Sequence, residues 1–179
     1  MNEAVYWHEE VTVATAAQMR ALGRRLASLL RAGDLVILSG SLGAGKTTLT
    51  QGIGEGLGVR GPVTSPTFVI ARVHPPLKPA AGLTAAGPAL VHADAYRLGS
   101  VLEMDDLDLD ADTETSVTVV EWGEGLAEGL AADRLEITIA PAADGVSLEG
   151  DSPRAVTITG IGERWRGIQL PPADLADRL

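Results

Sequence analysis

The stretch "VILSGSLGAGKTTLTQ", residues 36–51, begins with apolar residues, continues through a glycine-rich segment and ends with residues compatible with a helix. From Gly40 to Thr47 it follows the spacing G-x-x-x-x-G-K-T, the Walker A pattern of phosphate-binding loops. The apolar residues predict a buried strand before the loop, and the following residues predict a helix from about Lys46 towards Leu57. The stretch therefore predicts a strand, a phosphate-binding loop and a helix in direct succession.

The chemistry of such a loop requires the residue types found at these positions. Gly40 and Gly45 permit backbone conformations that a Cβ would obstruct, so that successive N–H groups can surround phosphate oxygens. Lys46 supplies a cation to the β- and γ-phosphates, and the Thr47 hydroxyl is a suitable ligand for Mg²⁺. The loop residues that we expect to bind the nucleotide are Gly40, Leu42, Gly43, Ala44, Gly45, Lys46, Thr47 and Thr48.

A phosphate-binding loop that uses a metal also needs an acidic residue at the end of a neighbouring strand. Two acids fit this pattern: Asp94 in "LVHADAY" and Glu121 in "VTVVEW" both follow apolar, strand-like residues. From spacing alone, either acid can hold the metal and either can orient the attacking water. We therefore predict Lys46, Asp94 and Glu121 as catalytic residues, and Thr47, Glu121 and Asp94 as metal ligands.

Several other polar and aromatic residues are candidates for the same site. Ser65 and Thr67, in "VTSPTF", follow the helix of the loop at a place where a nucleotide-sensing segment can lie, although the same residues are common in ordinary turns. Trp122 either packs in the core or lies over a ligand. For His92, a buried core histidine is the better interpretation from spacing alone.

The first helix is predicted by a capping box, in which the Thr15 hydroxyl accepts from an early helix N–H and Gln18 reaches back to the cap. Apolar residues then recur at helical spacing, and Gly33 is a suitable end. The helix after the phosphate loop contains an unusual number of glycines, which lower its intrinsic stability, so we expect close packing to compensate. These glycines are Gly52, Gly54, Gly56 and Gly58.

The rest of the chain is richer in strands than in crossover units. Residues 135–140 and 154–160 predict a final meander, so a mixed sheet is expected rather than a purely parallel one. The Pro/Ala/Gly-rich residues 74–89 predict a long hairpin connection or flexible loop, and residues 168–179 predict a loose tail. The fold class predicted is α/β, as a single P-loop NTPase domain over residues 1–179.

Composition limits the class of protein further. The 179 residues carry a net charge of −10, which argues against autonomous binding to nucleic acid, and the absence of cysteine excludes disulfides and thiolate metal sites. The first residues do not show the basic segment followed by an apolar run that marks a secretory signal. No apolar run approaches the roughly 20 residues that span a bilayer. The expectation is a soluble, cytoplasmic protein with no membrane partner, in which another subunit carries any basic surface for RNA.

Besides an ATPase that drives another machine, three nucleotide-using classes are weighed on the residues alone. A GTP switch of the Ras type is disfavoured, because neither Lys46 nor Lys78 stands in an N-K-x-D motif. A small-molecule kinase would use the same loop, but the chain has no arginine-rich lid segment. A nucleotide-gated binding module, in which hydrolysis is incidental, is the third class.

Four motifs in order resemble one known family. The segments "GSLGAGKTTLTQG", "VTSPTFVI", "HADAYRL" and "VVEWGE" together are similar to the TsaE (YjeE) family, the small ATPases of bacterial tRNA threonylcarbamoyladenosine biosynthesis. The combination is far more specific than the phosphate loop alone. Alanine at 93 and 95 departs from the larger residues common in the family, and residues 74–89 are longer than its usual hairpin.

The resemblance implies a P-loop ATPase fold with a mixed, largely antiparallel central sheet flanked by helices, and it also implies an activity, a cofactor and partners. It implies ATP rather than GTP as substrate, with Mg²⁺ held by Thr47 and Glu121, and it places Thr15 near the nucleotide base. It further implies that the Ser65–Thr67 loop and the Asp94 loop sense or position the γ-phosphate and water. The implied partners are the threonylcarbamoyl transferase TsaD and its companion TsaB, with tRNA contacted only through that complex.

Overall fold

A computed structural model describes most of the chain, namely residues 3–66, 71–78, 87–96, 114–125, 127–142 and 152–173. The described residues form two α-helices, α1 (Ala16–Ala27) and α2 (Lys46–Leu57). The strands are β1 (Val5–Val13), β2 (Leu35–Gly40), β3 (Ala71–His74), β4 (Ala89–Asp94), β5 (Ser116–Glu121), β6 (Arg134–Pro141) and β7 (Arg154–Ile161). Short 3₁₀ turns occupy Glu128–Leu130 and Glu163–Trp165. Within the described ranges, neither helix has the length and hydropathy that a membrane crossing requires.

The strands form one sheet in the order β1-β7-β6-β2-β5-β4-β3. Its centre is parallel, because β6, β2, β5 and β4 pair parallel to one another, while the pairs β1–β7, β7–β6 and β4–β3 are antiparallel. The predicted mixed α/β sheet is confirmed, and so is the final meander, which is the β6–β7 pair. The antiparallel pairings lie towards the two edges, and the parallel centre brings the carboxyl ends of β2, β4 and β5 together.

Alternate residues of the central strands face two different hydrophobic clusters. On the helical face, Val36 and Leu38 of β2 pack with residues such as Leu22 of α1 and Leu49 of α2. On the opposite face, Ile37 belongs to a smaller cluster with residues of β4 and β5. This strict alternation within a buried strand follows from the two-residue period of the β conformation.

The helices α1 and α2 approach so closely that glycine is required at their contact. A Cβ added to Gly52 would lie 2.2 Å from the backbone oxygen of Arg20, and one added to Gly23 would lie 2.4 Å from the backbone oxygen of Leu49. The expected close packing of the glycine-rich helix is thus present. The contact compensates for the low helix propensity of glycine by bringing the two backbones into van der Waals contact.

One of the two hydrogen bonds predicted for the capping box of α1 is present, and the other has a different partner. The Thr15 side chain accepts from the Gln18 N–H at 3.1 Å, but the Gln18 side chain accepts from the Ala14 N–H at 2.8 Å rather than from Thr15 itself. The reach of Gln18 past the cap ties the end of β1 to the start of α1. The residues before α1 are thereby fixed to the first turn of that helix.

Two features of the structure were not predicted from the sequence patterns: the first strand and the packing of the predicted tail. β1 alternates buried and exposed residues along an edge of the sheet, and no strand was predicted there. In the predicted tail, Leu170 is buried in the main cluster and the Pro171 carbonyl accepts from Arg25 at 2.8 Å, so residues 168–173 pack against α1. Residues 174–179 and residues 79–86 of the predicted loop lie outside the described part of the chain.

Candidate nucleotide site

The predicted strand, loop and helix are present in the predicted order, and the loop backbone depends on glycine. Gly43 and Gly45 have φ values of +76° and +112°, in the left-handed region that residues with a Cβ rarely adopt. A Cβ on Gly40, which ends β2, would lie 2.6 Å from the backbone oxygen of Ile139. Gly45 is the N-cap of α2, so the loop ends at the positive pole of that helix.

Lys46 begins α2 and folds back over its own loop. Its Nζ donates to the carbonyl oxygens of Gly40 at 2.8 Å and Ser41 at 3.0 Å. The residue is 5% exposed, and burial lowers the pKa of its ammonium group from the usual range, while the carboxylates of Glu121 and Asp94 oppose that change. A cation held near the loop carbonyls and close to two acids is available to a phosphate group that enters the site.

The carboxylate of Glu121 makes the contact that connects the sheet to the loop. Thr47 Oγ1 donates to Glu121 Oε1 at 3.0 Å, and His92 Nε2 lies 2.7 Å from the same oxygen. In the parallel pair of β4 and β5, Asp94 stands directly opposite Glu121, so the two predicted acids lie side by side at the strand ends. His92 is buried, as predicted, yet it contacts a predicted metal ligand rather than serving the core alone.

Asp94 is held differently from its neighbour. Its Oδ1 accepts from the Tyr96 N–H at 2.9 Å, which fixes the turn that follows β4. The carboxylate faces a cleft of about 230 Å³, named here the acidic cleft, between the phosphate loop and the strand ends. Its lining residues are Leu42, Gly43, Gly45, Lys46, Thr47, Thr48, Ser65, Asp94, Glu121 and Trp122.

Trp122 follows Glu121 in an uncommon backbone conformation. Its φ is +59°, in the left-handed region, where a side chain other than glycine's costs roughly 1–2 kcal/mol. Its backbone N–H donates to the Leu38 carbonyl at 2.9 Å, and its ring centroid lies 4.0 Å from Lys46 Nζ. Of the two readings of this residue, the structure shows the ring beside the loop lysine, at the rim of the acidic cleft.

A second cleft of about 170 Å³ lies on the other side of the same loop. It is lined by Val13, Ala14, Thr15, Ala16, Met19, Gly43, Ala44, Gly45, Thr48, Ser152 and Arg154. The two clefts share Gly43, Gly45 and Thr48, so a ligand bound along the loop can reach both. Thr67, the remaining predicted binding residue, lies outside the described part of the chain.

Ser152 and Arg154 are lining residues that the sequence patterns did not identify. Arg154 begins β7 and pairs with Val13 at the end of β1, which places it beside the start of α1. Recognising this would have required the alternation in β1 and its pairing with the last strand, which are more than 140 positions apart in the chain. No local motif marks such a position.

The donor set fits a magnesium ion held together with phosphate. Thr47 offers a hydroxyl and Glu121 and Asp94 offer carboxylates, which are ligand types that Mg²⁺ prefers. Within the described ranges, no group of three or more acidic or histidine side chains could hold a metal ion alone. In proteins, Mg²⁺ is usually coordinated by one or two protein groups together with waters and substrate phosphates.

Comparison with known proteins identifies the family. The family model described as "Threonylcarbamoyl adenosine biosynthesis protein TsaE" matches residues 13–147, more than half of the chain. A relative from Streptomyces coelicolor, the "tRNA threonylcarbamoyladenosine biosynthesis protein TsaE", is 65% identical over 148 residues, covering 82% of this chain and 93% of that protein. The chain belongs to the TsaE family.

Less similar members of the family also match this chain in sequence and in structure. The protein of the same description from Mycobacterium tuberculosis is 52% identical over 124 residues, covering 66% of this chain and 70% of that protein. The one from Bacillus subtilis is 36% identical over 149 residues, covering 83% of each. A solved structure, "Crystal structure of Bacillus subtilus YdiB", has a TM-score of 0.66 and 30% identity, covering 92% of both chains. The family fold is that of the P-loop NTPases, as predicted.

Proposed function

We propose that this chain is an ATPase subunit of the machinery for tRNA threonylcarbamoyladenosine biosynthesis in the cytoplasm. In this proposal it binds Mg²⁺-ATP and hydrolyses it to support turnover of the complex of TsaD with TsaB. The observation that carries the proposal is the contact of Thr47 with Glu121 beside Asp94, which joins the phosphate loop to two carboxylates in one cleft. Loop amides, a lysine and neighbouring acids are the parts that phosphoryl transfer to water requires.

The phosphate-binding half of this function rests on the loop and Lys46. The N–H groups of the glycine-rich turn and the start of α2 bind phosphate oxygens, and Lys46 adds a positive charge. To reach a phosphate, its Nζ exchanges the carbonyl oxygens of Gly40 and Ser41 for phosphate oxygens. The exchange retains charge-assisted hydrogen bonds and removes the ammonium group from the Trp122 ring.

The hydrolytic half rests on a division of labour between the two acids. Glu121 and Thr47 are the residues that would hold Mg²⁺, which neutralises charge developing on the transferring phosphoryl group. Asp94, whose position is fixed by the Tyr96 N–H, orients the water that attacks the γ-phosphorus. The bond from the γ-phosphorus to its bridging oxygen then breaks, giving ADP and inorganic phosphate.

The second cleft is the proposed position of the adenosine. It adjoins the loop at Gly43, Gly45 and Thr48, and it carries Thr15 and the guanidinium of Arg154 at its walls. Arginine planes stack on nucleobases, while hydroxyl and backbone groups give directional contacts. The position of Thr15 in this cleft agrees with the family resemblance, which implies that Thr15 lies near the nucleotide base.

The partner part of the proposal rests on charge and on exposed apolar side chains at the site. Contacts with tRNA phosphates require basic residues. Because this chain has a net charge of −10, we assign the binding of tRNA to the transferase complex and not to this chain. At the acidic cleft, the lining residue Leu42 is 92% exposed and the nearby Tyr96 is 69% exposed, so both side chains are available to a partner. None of the described residues that line this cleft is an arginine, which favours slow hydrolysis alone and stimulation by the partner complex.

The test is a reconstituted modification reaction with purified TsaB, TsaD and tRNA. We expect ATP hydrolysis by this chain to be slow alone and faster with the partner pair, and repeated rounds of modification to require both this chain and hydrolysable ATP. Multiple turnovers that never depend on the chain would overturn the proposal. If an Asp94→Asn form binds ATP, does not hydrolyse it and still supports repeated rounds, the chain is a nucleotide-gated binding module instead.

A further inference from the structure

His92 has two ring nitrogens in different situations, although its side chain is fully buried. Nε2 lies 2.7 Å from Glu121 Oε1, and both side chains are almost completely removed from solvent. Nδ1 is buried, and no hydrogen-bond partner for it lies among the described residues. An unpaired buried polar atom carries a cost of about 1–3 kcal/mol, so the contact with Glu121 carries the hydrogen bonding of this ring.

The chemistry of the carboxylate determines which nitrogen carries the proton. An ionised Glu121 only accepts hydrogen bonds, so the nitrogen facing it must be an N–H donor. His92 is therefore assigned as the Nε2–H form, donating to Oε1, which also receives the hydroxyl of Thr47. Both hydrogen bonds end on Oε1, so they hold this oxygen of the carboxylate in place.

The two donors to Glu121 differ in how firmly they hold it. Thr47 sits on the phosphate loop, and its hydroxyl is needed for the metal in the proposed function. His92 projects from β4, the strand adjacent to β5, and its backbone is fixed by the parallel pairing. The histidine is thus the donor that can keep Glu121 in place whatever the loop binds.

We propose that His92 is a positioning residue, whose Nε2–H fixes the Glu121 carboxylate so that magnesium strengthens nucleotide binding. The inference rests on the proposed Mg²⁺-ATP function and assigns to the site a residue that touches neither nucleotide nor metal. Partners that orient a metal ligand typically change metal affinity or activity by about 10–100-fold when they are removed. A purely structural histidine would instead affect folding stability and leave the response to magnesium unchanged.

The test measures the affinity for a non-hydrolysable ATP analogue by titration calorimetry, once in EDTA and once with saturating magnesium. The ratio of the two dissociation constants, the magnesium gain, is the readout. The variants are His92→Leu, which removes the donor, and His92→Gln, whose amide nitrogen can occupy the place of Nε2. His74→Leu is the matched control: among the described residues, His74 is also a buried histidine with an unpaired ring nitrogen, but the histidine that contacts Glu121 is His92. Thermal unfolding checks that each variant is folded.

We expect His92→Leu to lower the magnesium gain about tenfold with unchanged affinity in EDTA, His92→Gln to restore most of it, and His74→Leu to keep it. A wild-type gain in the His92→Leu form would overturn the inference alone, as would an equal loss of affinity with and without magnesium. No magnesium gain in the wild-type chain would overturn the proposed function, and the inference with it.

Discussion

Asp94 and Glu121 stand opposite each other at the ends of the parallel strands β4 and β5, but their carboxylates are held by different groups. Asp94 accepts from a backbone N–H in its own turn, whereas Glu121 accepts from Thr47 on the phosphate loop. The same register that brings the acids together therefore gives them separate environments. This difference allows two similar carboxylates to take different parts in one reaction.

Replacing each acid by its amide is expected to separate binding from hydrolysis. Glu121→Gln should weaken the magnesium-dependent part of ATP binding, because an amide is a poorer ligand than a carboxylate. Asp94→Asn should leave binding within about twofold and lower the hydrolysis rate by about 10²–10⁴-fold, the usual contribution of a base that handles the attacking water. Binding is measured by calorimetry and hydrolysis by phosphate release with the partner complex. Equal effects of both substitutions on binding would contradict the proposed division.

Removing the positive charge of Lys46 is expected to weaken ATP binding. Lys46→Ala should weaken ATP binding by about 10–100-fold, since a hydrogen bond to a charged group contributes about 1.5–3 kcal/mol. Lys78→Ala is the matched control, because Lys78 is the only other lysine in the chain and is exposed. Tryptophan fluorescence, to which Trp122 beside Lys46 contributes together with Trp7 and Trp165, gives a second signal for the change. Similar ATP affinities for the two variants would show that the loop lysine is not used for phosphate.

The contact of α1 with α2 predicts a large effect of a single methyl group. Gly52→Ala would place a Cβ 2.2 Å from the Arg20 carbonyl oxygen, so the helices must move apart. Forcing extra volume into a tight contact costs typically 1–3 kcal/mol, and each kcal/mol lowers the melting temperature by about 2–4 °C for a chain of this size. Gly129→Ala is the control, because a Cβ there would meet no atom within 4 Å. Equal melting temperatures for the two variants would contradict the close packing.

The sequence predicted the parts of the site whose information is local. The phosphate loop, the helix after it and the strand-then-acid pattern of Asp94 and Glu121 are each predicted from a short run of neighbouring residues. By contrast, the lining residue Arg154 and the contact made by His92 depend on which strands pair, and strand pairing is set by residues far apart in the chain. The parallel centre of the sheet escaped prediction for the same reason.

Burial of His74 predicts a loss of stability in mildly acidic solution. Its side chain is 7% exposed, and burial lowers the pKa of its imidazole, with smaller contributions from the nearby His92 and Arg72. The unfolded chain therefore takes up a proton near pH 6.5, where the folded chain still resists it. The stabilising contribution is complete above this pH and is lost as the pH falls towards the lower folded pKa.

The measurement is the free energy of unfolding by urea between pH 8 and pH 5, for the wild type and His74→Leu. We expect the wild-type free energy to fall as the pH drops below about 6.5, and the variant to lose part of that slope because no proton is taken up at this position. Carboxylates such as Glu163, whose pKa is held at about 2 chiefly by its hydrogen bond from Arg166, act below about pH 4.5 and lie outside the window. Parallel curves for the two proteins would show that His74 is protonated equally well folded and unfolded, and that its burial has no electrostatic consequence.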